Sequence, residues 1–271
     1  ATAIDGTNYT YASETNTANY TITVAPAEMT VTASGFTGDY DGQTHGITVT
    51  APDGATVIYG ETPGVYNLNV SPTYTNAGGY TVYYQVTKAN YITVTGSQVV
   101  TINQAPGSIS YATASVKKTY GVANFTHPLT LTGDGTVSYA TSNAEVADVD
   151  ASTGEVTITG EGTATITATA IDGTNYIYAS KTNTANYTIT VAPAKMTVTA
   201  SGYTGDYDGK AHSINVTAPE GATVRYGETE GVFDLSASPT YIYAGTYTVY
   251  YQVTKTNYTT VTGSQVVTIN K

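Results

Sequence analysis

Residues 80–87 read YTVYYQVT, and the same letters stand again at residues 247–254. Tyr80, Val82 and each second residue after them project to one side of an extended chain, and Thr81 and its alternates project to the other. A period of two predicts a β-strand with one buried and one solvated face. Similar runs recur at spacings of roughly 8–12 residues, with turn residues between them and no helical period. The pattern predicts an all-β chain made of antiparallel β-sandwiches.

This strand belongs to a much longer repeat. Residues 1–104 recur at residues 168–271 with 21 differences over the 104 aligned positions. A long, near-identical repeat is typical of a modular array in which one unit was duplicated to build length. We therefore expect tandem sandwiches in an elongated array, more than about 100 Å long if three sandwiches with strands of roughly 33 Å lie end to end.

Proline residues divide the repeat into segments. Ala-Pro-Ala surrounds Pro26 and Pro193, and Pro106 lies in a third break, since proline cannot continue a central strand. The first segment matches residues 168–193 and is expected to be only the two closing strands of an incomplete domain, with the chain a piece of a longer protein. The other segments are expected to be complete domains. The predicted segments are residues 1–26, 27–104, 105–193 and 194–271.

The composition restricts the classes of function. The 271 residues include 26 Tyr, no Trp and no Cys, and the formal net charge is −11 with a pI near 4.4. Nucleic-acid binding is not expected, because the phosphate backbone requires clustered Lys and Arg. The absence of Cys excludes disulfides. The sequence also has no apolar run long enough to cross a bilayer, so membrane insertion is not expected.

Two resemblances to known families follow from particular motifs. Residues 137–170 read VSYATSNAEVADVDASTGEVTITGEGTATITATA and resemble the bacterial Ig-like group 2 domain. Tyr40-Asp41-Gly42, Asn90-Tyr91 and Val94–Ser97, with their second copies, are similar to the MBG/YDG-type repeats of bacterial surface adhesins. The resemblances imply Ig-like sandwiches in a secreted, cell-wall-associated bacterial protein. Neither family has a catalytic motif that can be transferred, so no enzyme activity and no cofactor are implied.

Two acidic turns are candidate calcium sites. Asp39 and Asp41 precede a glycine, and Asp206 and Asp208 are their counterparts in the second copy. Carboxylates at alternate positions before a glycine are typical of the start of a calcium loop. The acid expected near the twelfth position is missing, because Thr50 and its counterpart stand there, and a simple hairpin turn is the other interpretation. No His, Cys or carboxylate residues converge elsewhere into a zinc site or a catalytic triad.

The two copies differ most between residues 43 and 79, which hold 14 of the 21 differences. Within the strand predicted at residues 45–51, Ile47 and Val49 are kept while Thr48 changes, as expected for a fixed inner face and a free outer face. We call residues 43–79 and their counterparts the variable zone. It is either a weakly constrained edge or a recognition surface that has diversified.

A few side chains are candidate ligand contacts. Tyrosine rings stack on sugars, although cross-strand packing explains outer-face Tyr residues equally well. Tyr243 and Arg225 lie in the variable zone, where they replace Asn76 and Ile58 of the first copy. The candidates are Tyr83, Tyr250, Tyr243 and Arg225.

The sequence supports two functional hypotheses. The first is a structural stalk or spacer segment of a bacterial cell-surface adhesin, in which sandwiches in series give length and proline-containing linkers limit bending. The alternative is a weak multivalent adhesion module that binds a glycan or a host surface protein through the variable zone. Neighbouring repeats of the same chain are the remaining partners expected. An enzyme is disfavoured, because no nucleophile–base pair is readable.

Overall fold

The computed structural model describes residues 1–10, 17–180 and 183–271. Every regular element in this part of the chain is a β-strand, and it contains no helix suited to spanning a membrane. Residues 11–16 of the predicted segment 1–26, and residues 181–182 of the predicted segment 105–193, lie outside the described residues.

The chain divides into two compact units, residues 1–105 and residues 106–271. The first unit contains eight strands that we call the first sandwich. One layer is a four-stranded sheet in the order β2-β8-β7-β5, in which β2 runs parallel to β8 and the other pairs are antiparallel, and the pairs β1-β4 and β3-β6 pack against it. The strands are β1 (Thr32–Ser34), β2 (Phe36–Asp39), β3 (His45–Gly46), β4 (Thr48–Thr50), β5 (Thr56–Gly60), β6 (Thr73–Tyr74), β7 (Gly78–Thr87) and β8 (Val94–Asn103).

The strand predicted at residues 80–87 is confirmed as part of β7. Val82 and Val86 are fully buried and Tyr84 nearly so, because the even-numbered side chains face the inside of the sandwich. Burying each such valine contributes about 1.5–3 kcal/mol. The same core contains Val100, Ile102, Met29 and Ile47.

The strand predicted at residues 45–51 is interrupted at Ile47. β3 pairs with β6 whereas β4 pairs with β1, so the chain changes partner between them. At the change, the Ile47 N–H donates to the Ser71 hydroxyl oxygen at 3.3 Å instead of to a strand. The prediction for the faces holds, since Ile47 is buried and Thr48 is exposed.

The second unit begins with the middle sandwich, strands β10 to β19. One layer has the order β11-β19-β17-β14, with β11 parallel to β19, and the other contains β12-β16-β15 and β10-β13. The strands from β9 onward are β9 (Ala105–Pro106), β10 (Ser108–Tyr111), β11 (Ser115–Thr119), β12 (Phe125–Thr126), β13 (Leu129–Thr132), β14 (Thr136–Thr141), β15 (Ala147–Val149), β16 (Glu155–Ile158), β17 (Gly162–Ile171), β18 (Tyr176–Ile177) and β19 (Thr184–Ala192).

The core of the middle sandwich confirms the alternation along β17. The alternate residues from Ala164 to Ala170 are buried, and the three that are alanines leave room for the larger side chains of β19. Tyr187 and Ile189 of β19 fill this space and meet Val146 and Val156 from the opposite layer.

The second unit ends with the last sandwich, strands β20 to β25. Its sheet has the order β21-β25-β24-β23, with β21 parallel to β25, and β20 pairs with β22. All three sandwiches therefore share one topology, in which a short early strand runs parallel to the final strand of the same sheet. The fold is a tandem series of Ig-like β-sandwiches, as predicted. The strands are β20 (Thr199–Ser201), β21 (Tyr203–Asp206), β22 (Asn215–Thr217), β23 (Thr223–Gly227), β24 (Gly245–Thr254) and β25 (Val261–Asn270).

The opening segment differs from the prediction. Residues 18–25 were expected to form a strand, but the structure assigns them to none, and the bridge described in this segment joins Thr2 to Thr17. The side chains of Tyr20, Ile22 and Val24 are exposed. A strand forms when a neighbour bonds its backbone and covers its apolar face, and an isolated hairpin is marginal in water. Propensity and period alone do not make this segment a strand.

Candidate functional site

The acidic turn of the first sandwich is held by its own hydrogen bonds. Asp41 Oδ1 accepts the Gln43 N–H at 2.8 Å and lies 3.0 Å from His45 Nε2, and Gly42 takes the positive φ that the turn requires. The His45 ring stacks on Phe36 with ring centres 3.7 Å apart. The bond from Gln43, followed by that from His45, holds the pKa of Asp41 below its usual value.

The second copy repeats this geometry. Asp208 Oδ1 accepts the Lys210 N–H at 2.9 Å and lies 2.9 Å from His212 Nε2. The His212 ring stacks on Tyr203 with ring centres 3.6 Å apart. The bond with His212, followed by that from Lys210, lowers the pKa of Asp208. In both copies the aspartate organises the turn that precedes the pairing of this histidine with a tyrosine, Tyr74 or Tyr241.

The remaining two candidate calcium ligands are also engaged within the protein. Asp39 Oδ1 accepts from Asn103 Nδ2 at 3.2 Å, and Asp206 Oδ1 accepts from Asn270 Nδ2 at 3.1 Å. The residues that the structure describes contain no cluster of three or more His, Cys, Asp or Glu able to hold a metal ion. Calcium at these turns stays a prediction, and the hairpin-turn interpretation accounts for one oxygen of each carboxylate.

A groove with a volume of about 360 Å³ opens on the last sandwich and contains one of the predicted ligand contacts, Tyr250. We call it the aromatic groove. Tyr250 lies on β24 opposite Ser264 of β25, so the sheet supplies both a ring and a hydroxyl. The groove is lined by Glu230, Gly231, Phe233, Tyr250, Thr262, Gly263 and Ser264.

The loop after β23 builds the second wall of the aromatic groove. The Tyr226 N–H donates to the Leu235 carbonyl at 2.8 Å, and the Leu235 N–H donates back at 2.9 Å, so the loop returns onto its own strand. Gly227 permits this return, because a Cβ at that position would overlap the Val232 carbonyl oxygen. The return brings Phe233 to the groove. The aromatic groove therefore presents two aromatic rings, hydroxyl groups and one carboxylate.

The structure does not bring the other predicted contacts into this groove. Tyr83, the counterpart of Tyr250, is half-buried on β7 of the first sandwich. Tyr243 is 76% exposed, and Arg225 is exposed on β23 opposite Gln252. The sequence analysis missed the remaining lining residues, although the change from Pro63 to Glu230 was a visible signal. The lining residues that it missed are Glu230, Gly231, Phe233, Thr262, Gly263 and Ser264.

A second feature, which we call the junction, joins the middle and last sandwiches within the second unit. The Ala194 N–H donates to the Asn257 carbonyl at 2.9 Å, and the Thr259 N–H donates to the Ala194 carbonyl at 2.9 Å. Asn257 has a φ of 68°, and its Oδ1 accepts the N–H of Glu161 from the middle sandwich at 3.0 Å. Asparagine tolerates this left-handed conformation better than most residues, which explains its place here.

An aromatic contact completes the junction. The Tyr120 ring of the middle sandwich meets the Tyr258 ring edge-on, with centres 5.7 Å apart and planes at 72°. Lys255 Nζ lies 4.9 Å from the centre of the Tyr258 ring. Edge-on aromatic pairs stabilise contacts by about 0.5–1.5 kcal/mol beyond the area they bury. The junction therefore combines a hydrogen bond and an aromatic contact between successive sandwiches, and the sequence analysis did not predict it.

Part of the middle sandwich is similar to a known family. Residues 129–172, from the start of β13 to just past the end of β17, match the family described as intimin, immunoglobulin-like domain. A comparison with curated proteins gives no match.

Several solved structures are similar to the chain. The I-band fragment of titin has 9% identity and a TM-score of 0.32, over 92% of this chain and 100% of that one. Sidekick-1 immunoglobulin domains 1–5 have 12% identity and a TM-score of 0.34, over 91% of this chain and 59% of that one. Drosophila N-cadherin EC1-4 has 10% identity and a TM-score of 0.27, over 92% of this chain and 76% of that one. These likenesses concern the fold alone.

Proposed function

We propose that the chain is a non-catalytic structural spacer segment of a bacterial cell-surface adhesin, located outside the cell. The similarity of residues 129–172 to the intimin immunoglobulin-like domain supports an extracellular adhesin context. The observation that carries the spacer role is the junction, where Asn257 and Tyr258 contact Glu161 and Tyr120. A spacer must transmit position from one domain to the next, and direct contacts between successive sandwiches do this.

The connection at the junction is short. β19 ends at Ala192 and the Ala194 N–H is already bonded to the last sandwich, so Pro193 is the single residue between them. Proline fixes its own φ and restricts the residue before it. The short connection also supports the predicted boundary between segments 105–193 and 194–271, which stays a prediction together with the other boundaries.

A spin-label distance measurement on the full chain tests this function. One label on β16 and one on β23 should give a narrow distance distribution if the junction fixes the two sandwiches. Inserting four glycine–serine residues after Pro193 should broaden that distribution, because flexible linkers sample many separations. The same insertion in the exposed turn at Gly231, which is not one of the residues around the junction, is the control and should leave it narrow. A distribution that is already broad in the unaltered chain would contradict the spacer proposal.

The aromatic groove favours a second candidate function, weak binding of a glycan. Phe233 and Tyr250 provide ring faces, while Thr262, Ser264 and Glu230 provide hydroxyls and an acceptor at the rim. A ring–sugar contact is worth about 1 kcal/mol beyond burial, so one groove would bind no more tightly than about millimolar. An array of such sites would then hold a surface through avidity. A host surface protein is the alternative partner for the same face.

A glycan array probed with the multimerised full chain tests the second candidate. Tyr250→Ala should abolish any signal, and Tyr243→Ala, which changes an exposed tyrosine outside the groove, should keep it. An equal loss of signal from both variants would show that the glycan does not bind in the aromatic groove. Binding tighter than about micromolar by a single chain would exceed what one shallow groove explains.

A further inference from the structure

One charged side chain at the aromatic groove is not used by the fold. Glu230 is exposed, and within the part of the chain that the structure describes no hydrogen bond or ion pair reaches its carboxylate. Glu228, two positions earlier, is engaged, because its Oε1 accepts from the Tyr241 hydroxyl at 2.6 Å. Glu230 lines the same groove as the rings of Phe233 and Tyr250. The groove therefore has one uncompensated negative charge of its own.

The turn that carries Glu230 does not require a carboxylate. The Val232 N–H donates to the Thr229 carbonyl at 3.1 Å, which closes a β-turn with Glu230 and Gly231 at its centre. Proline is favoured at the first central position of such a turn, because its φ is already set. Pro63 stands there in the first copy. Glu230 gives up this preorganisation, so turn geometry does not explain the charge.

The frame around the groove is otherwise the same in both copies. In the first sandwich the Tyr59 N–H donates to the Leu68 carbonyl at 2.8 Å and the Leu68 N–H donates back at 3.0 Å, as in the loop after β23. Five of the seven lining positions carry identical residues in the two copies. The second copy therefore adds a charge to an unchanged frame. The two replacements are Pro63 to Glu230 and Tyr66 to Phe233.

A carboxylate beside two aromatic rings suits a positively charged ligand. The face of an aromatic ring carries partial negative charge and attracts an ammonium group within about 6 Å of its centre. A carboxylate accepts charge-assisted hydrogen bonds from the N–H groups of the same ammonium. The formal net charge of −11 also favours the approach of a cation. A neutral ligand would leave the Glu230 carboxylate without a counter-charge.

The hydroxyls of the groove select a sugar among ammonium compounds. Thr262 and Ser264 lie two positions apart on β25 and are both exposed, so their hydroxyls project from the same face of the sheet. These hydroxyls can bond the hydroxyls of a sugar ring, whereas the alkyl stem of a lysine side chain offers them no partner. The volume of about 360 Å³ is at the small end of the range for small-molecule sites, about 300–1,000 Å³. This size suits a saccharide unit.

We propose that the aromatic groove binds an amino sugar whose amino group is free and protonated. Glu230 accepts hydrogen bonds from the ammonium group, while Phe233 and Tyr250 pack against the sugar ring. This inference rests on the second candidate function, weak glycan binding, and names the class of glycan. It also separates the two copies, because the first sandwich has Pro63 in place of the carboxylate and has no preference for a charged sugar.

The test is a nuclear magnetic resonance titration of the isotope-labelled full chain at pH 6. The probes are the methyl β-glycosides of glucosamine, N-acetylglucosamine and glucose, which differ only in the group on the second carbon of one ring. Glucosamine should bind about 5- to 20-fold more tightly than the other two, since it alone adds an ion pair and a cation–ring contact. The shifted signals should be those of residues 230–233, 250 and 262–264. Added salt should reduce the preference, because it screens exposed charges.

Two matched variants separate the proposed contact from a general effect of charge. Glu230→Gln keeps the shape of the side chain and should lower the affinity for glucosamine to that for glucose, with glucose binding unchanged. Asp234→Asn removes a negative charge from the same loop, at an exposed residue that does not line the groove, and should keep the preference.

The outcomes distinguish this inference from the glycan role on which it rests. Equal binding of all three sugars in the groove, unaffected by Glu230→Gln, would overturn the inference and leave the glycan role in place. No shift at the groove with any of the sugars would remove both. Tighter binding of Nα-acetyl-lysine amide than of glucosamine at the same residues would also overturn the inference, because a protein side chain would then be the preferred ligand.

Discussion

Residues 17–25 and residues 184–192 have one sequence and two environments. In the middle sandwich the segment is β19, bonded on both edges and buried, and in the first unit it lies in no strand and its apolar side chains are exposed. The junction shows the same contrast, because Asn257 bonds to Glu161 whereas Asn90 lines an open cleft. The difference shows that alternation and strand propensity allow a segment to form a strand, but that neighbouring strands must be present for it to do so.

The largest expected difference between the two environments comes from a buried charge. Ile189→Asp should destabilise the middle sandwich by more than about 4 kcal/mol, because an unpaired carboxylate would replace a fully buried side chain. Ile22→Asp should change the free energy of unfolding by less than about 0.5 kcal/mol, as for most surface substitutions. Urea unfolding of the full chain measures both. Comparable losses would mean that residues 17–25 are already covered in solution.

A smaller difference in stability between the buried and the exposed copy is expected at alkaline pH. Burial, followed by the nearby Tyr139, raises the pKa of Tyr187 to about 12. Since the unfolded value is about 10, the stability that Tyr187 contributes is complete below about pH 10 and is lost as the pH rises toward about 12.

The alkaline effect is checked by following tyrosinate absorbance and near-ultraviolet circular dichroism during titration. Tyr187→Phe should move the alkaline unfolding of the middle sandwich to higher pH, because the side chain can no longer ionise. Tyr20→Phe, the same change in the exposed copy, should leave the transition in place. An unchanged transition in the Tyr187 variant would show that ionisation of this ring does not drive the unfolding.

Removing one hydrogen bond at the junction should lower the free energy of unfolding by about 1 kcal/mol, the usual contribution of such a bond. Asn257→Gly keeps the backbone conformation available and removes the acceptor for the Glu161 N–H. Calorimetry should then show the middle and last sandwiches melting less cooperatively with each other. Asn90→Gly is the matched change in the first unit and should have a smaller effect. If the two variants behave alike, the bond to Glu161 does not couple the sandwiches.

Substitutions on the outer face of the variable zone should have the smallest effect on stability. Thr48→Asn and Asn215→Thr exchange exposed residues between the two copies, so each melting temperature should stay within about 1 °C, since such surface changes are usually worth less than 0.5 kcal/mol. Differential scanning calorimetry of the double variant measures this. A large shift would show that these side chains take part in packing, contrary to the free outer face inferred from the repeat.

The sequence was sufficient to predict strands and their buried faces where the local pattern and the burial agree. The alternation along β7 and β17 predicted both the strands and their inward faces, because a period of two places alternate side chains on one side of a sheet. The fixed Ile47 and free Thr48 also occupy the predicted faces. These features depend on neighbours in sequence, which a single chain displays directly.

The candidate sites depend on residues that are distant in sequence, and prediction was weaker there. The break at Ile47 requires a hydroxyl from Ser71, and the aromatic groove requires a loop that folds back over Gly227 to present Phe233. At the junction, Asn257 and Glu161 lie 96 positions apart. Nothing in local composition indicates such pairs. The repeat does show that Asn257 is kept in both copies, but the sequence analysis interpreted this only as part of a family resemblance.

The parallel pairing of the short early strand with the final strand has a mechanical consequence. In each sandwich, β2 with β8, β11 with β19 and β21 with β25, the strand near the entry of the chain lies beside the strand near its exit and points the same way. Tension applied at the two ends of a sandwich pulls these strands in opposite directions along their length. Their hydrogen bonds are then loaded together in shear and not opened one after another. We therefore expect each sandwich to resist extension, with its last strand as the part that bears the tension.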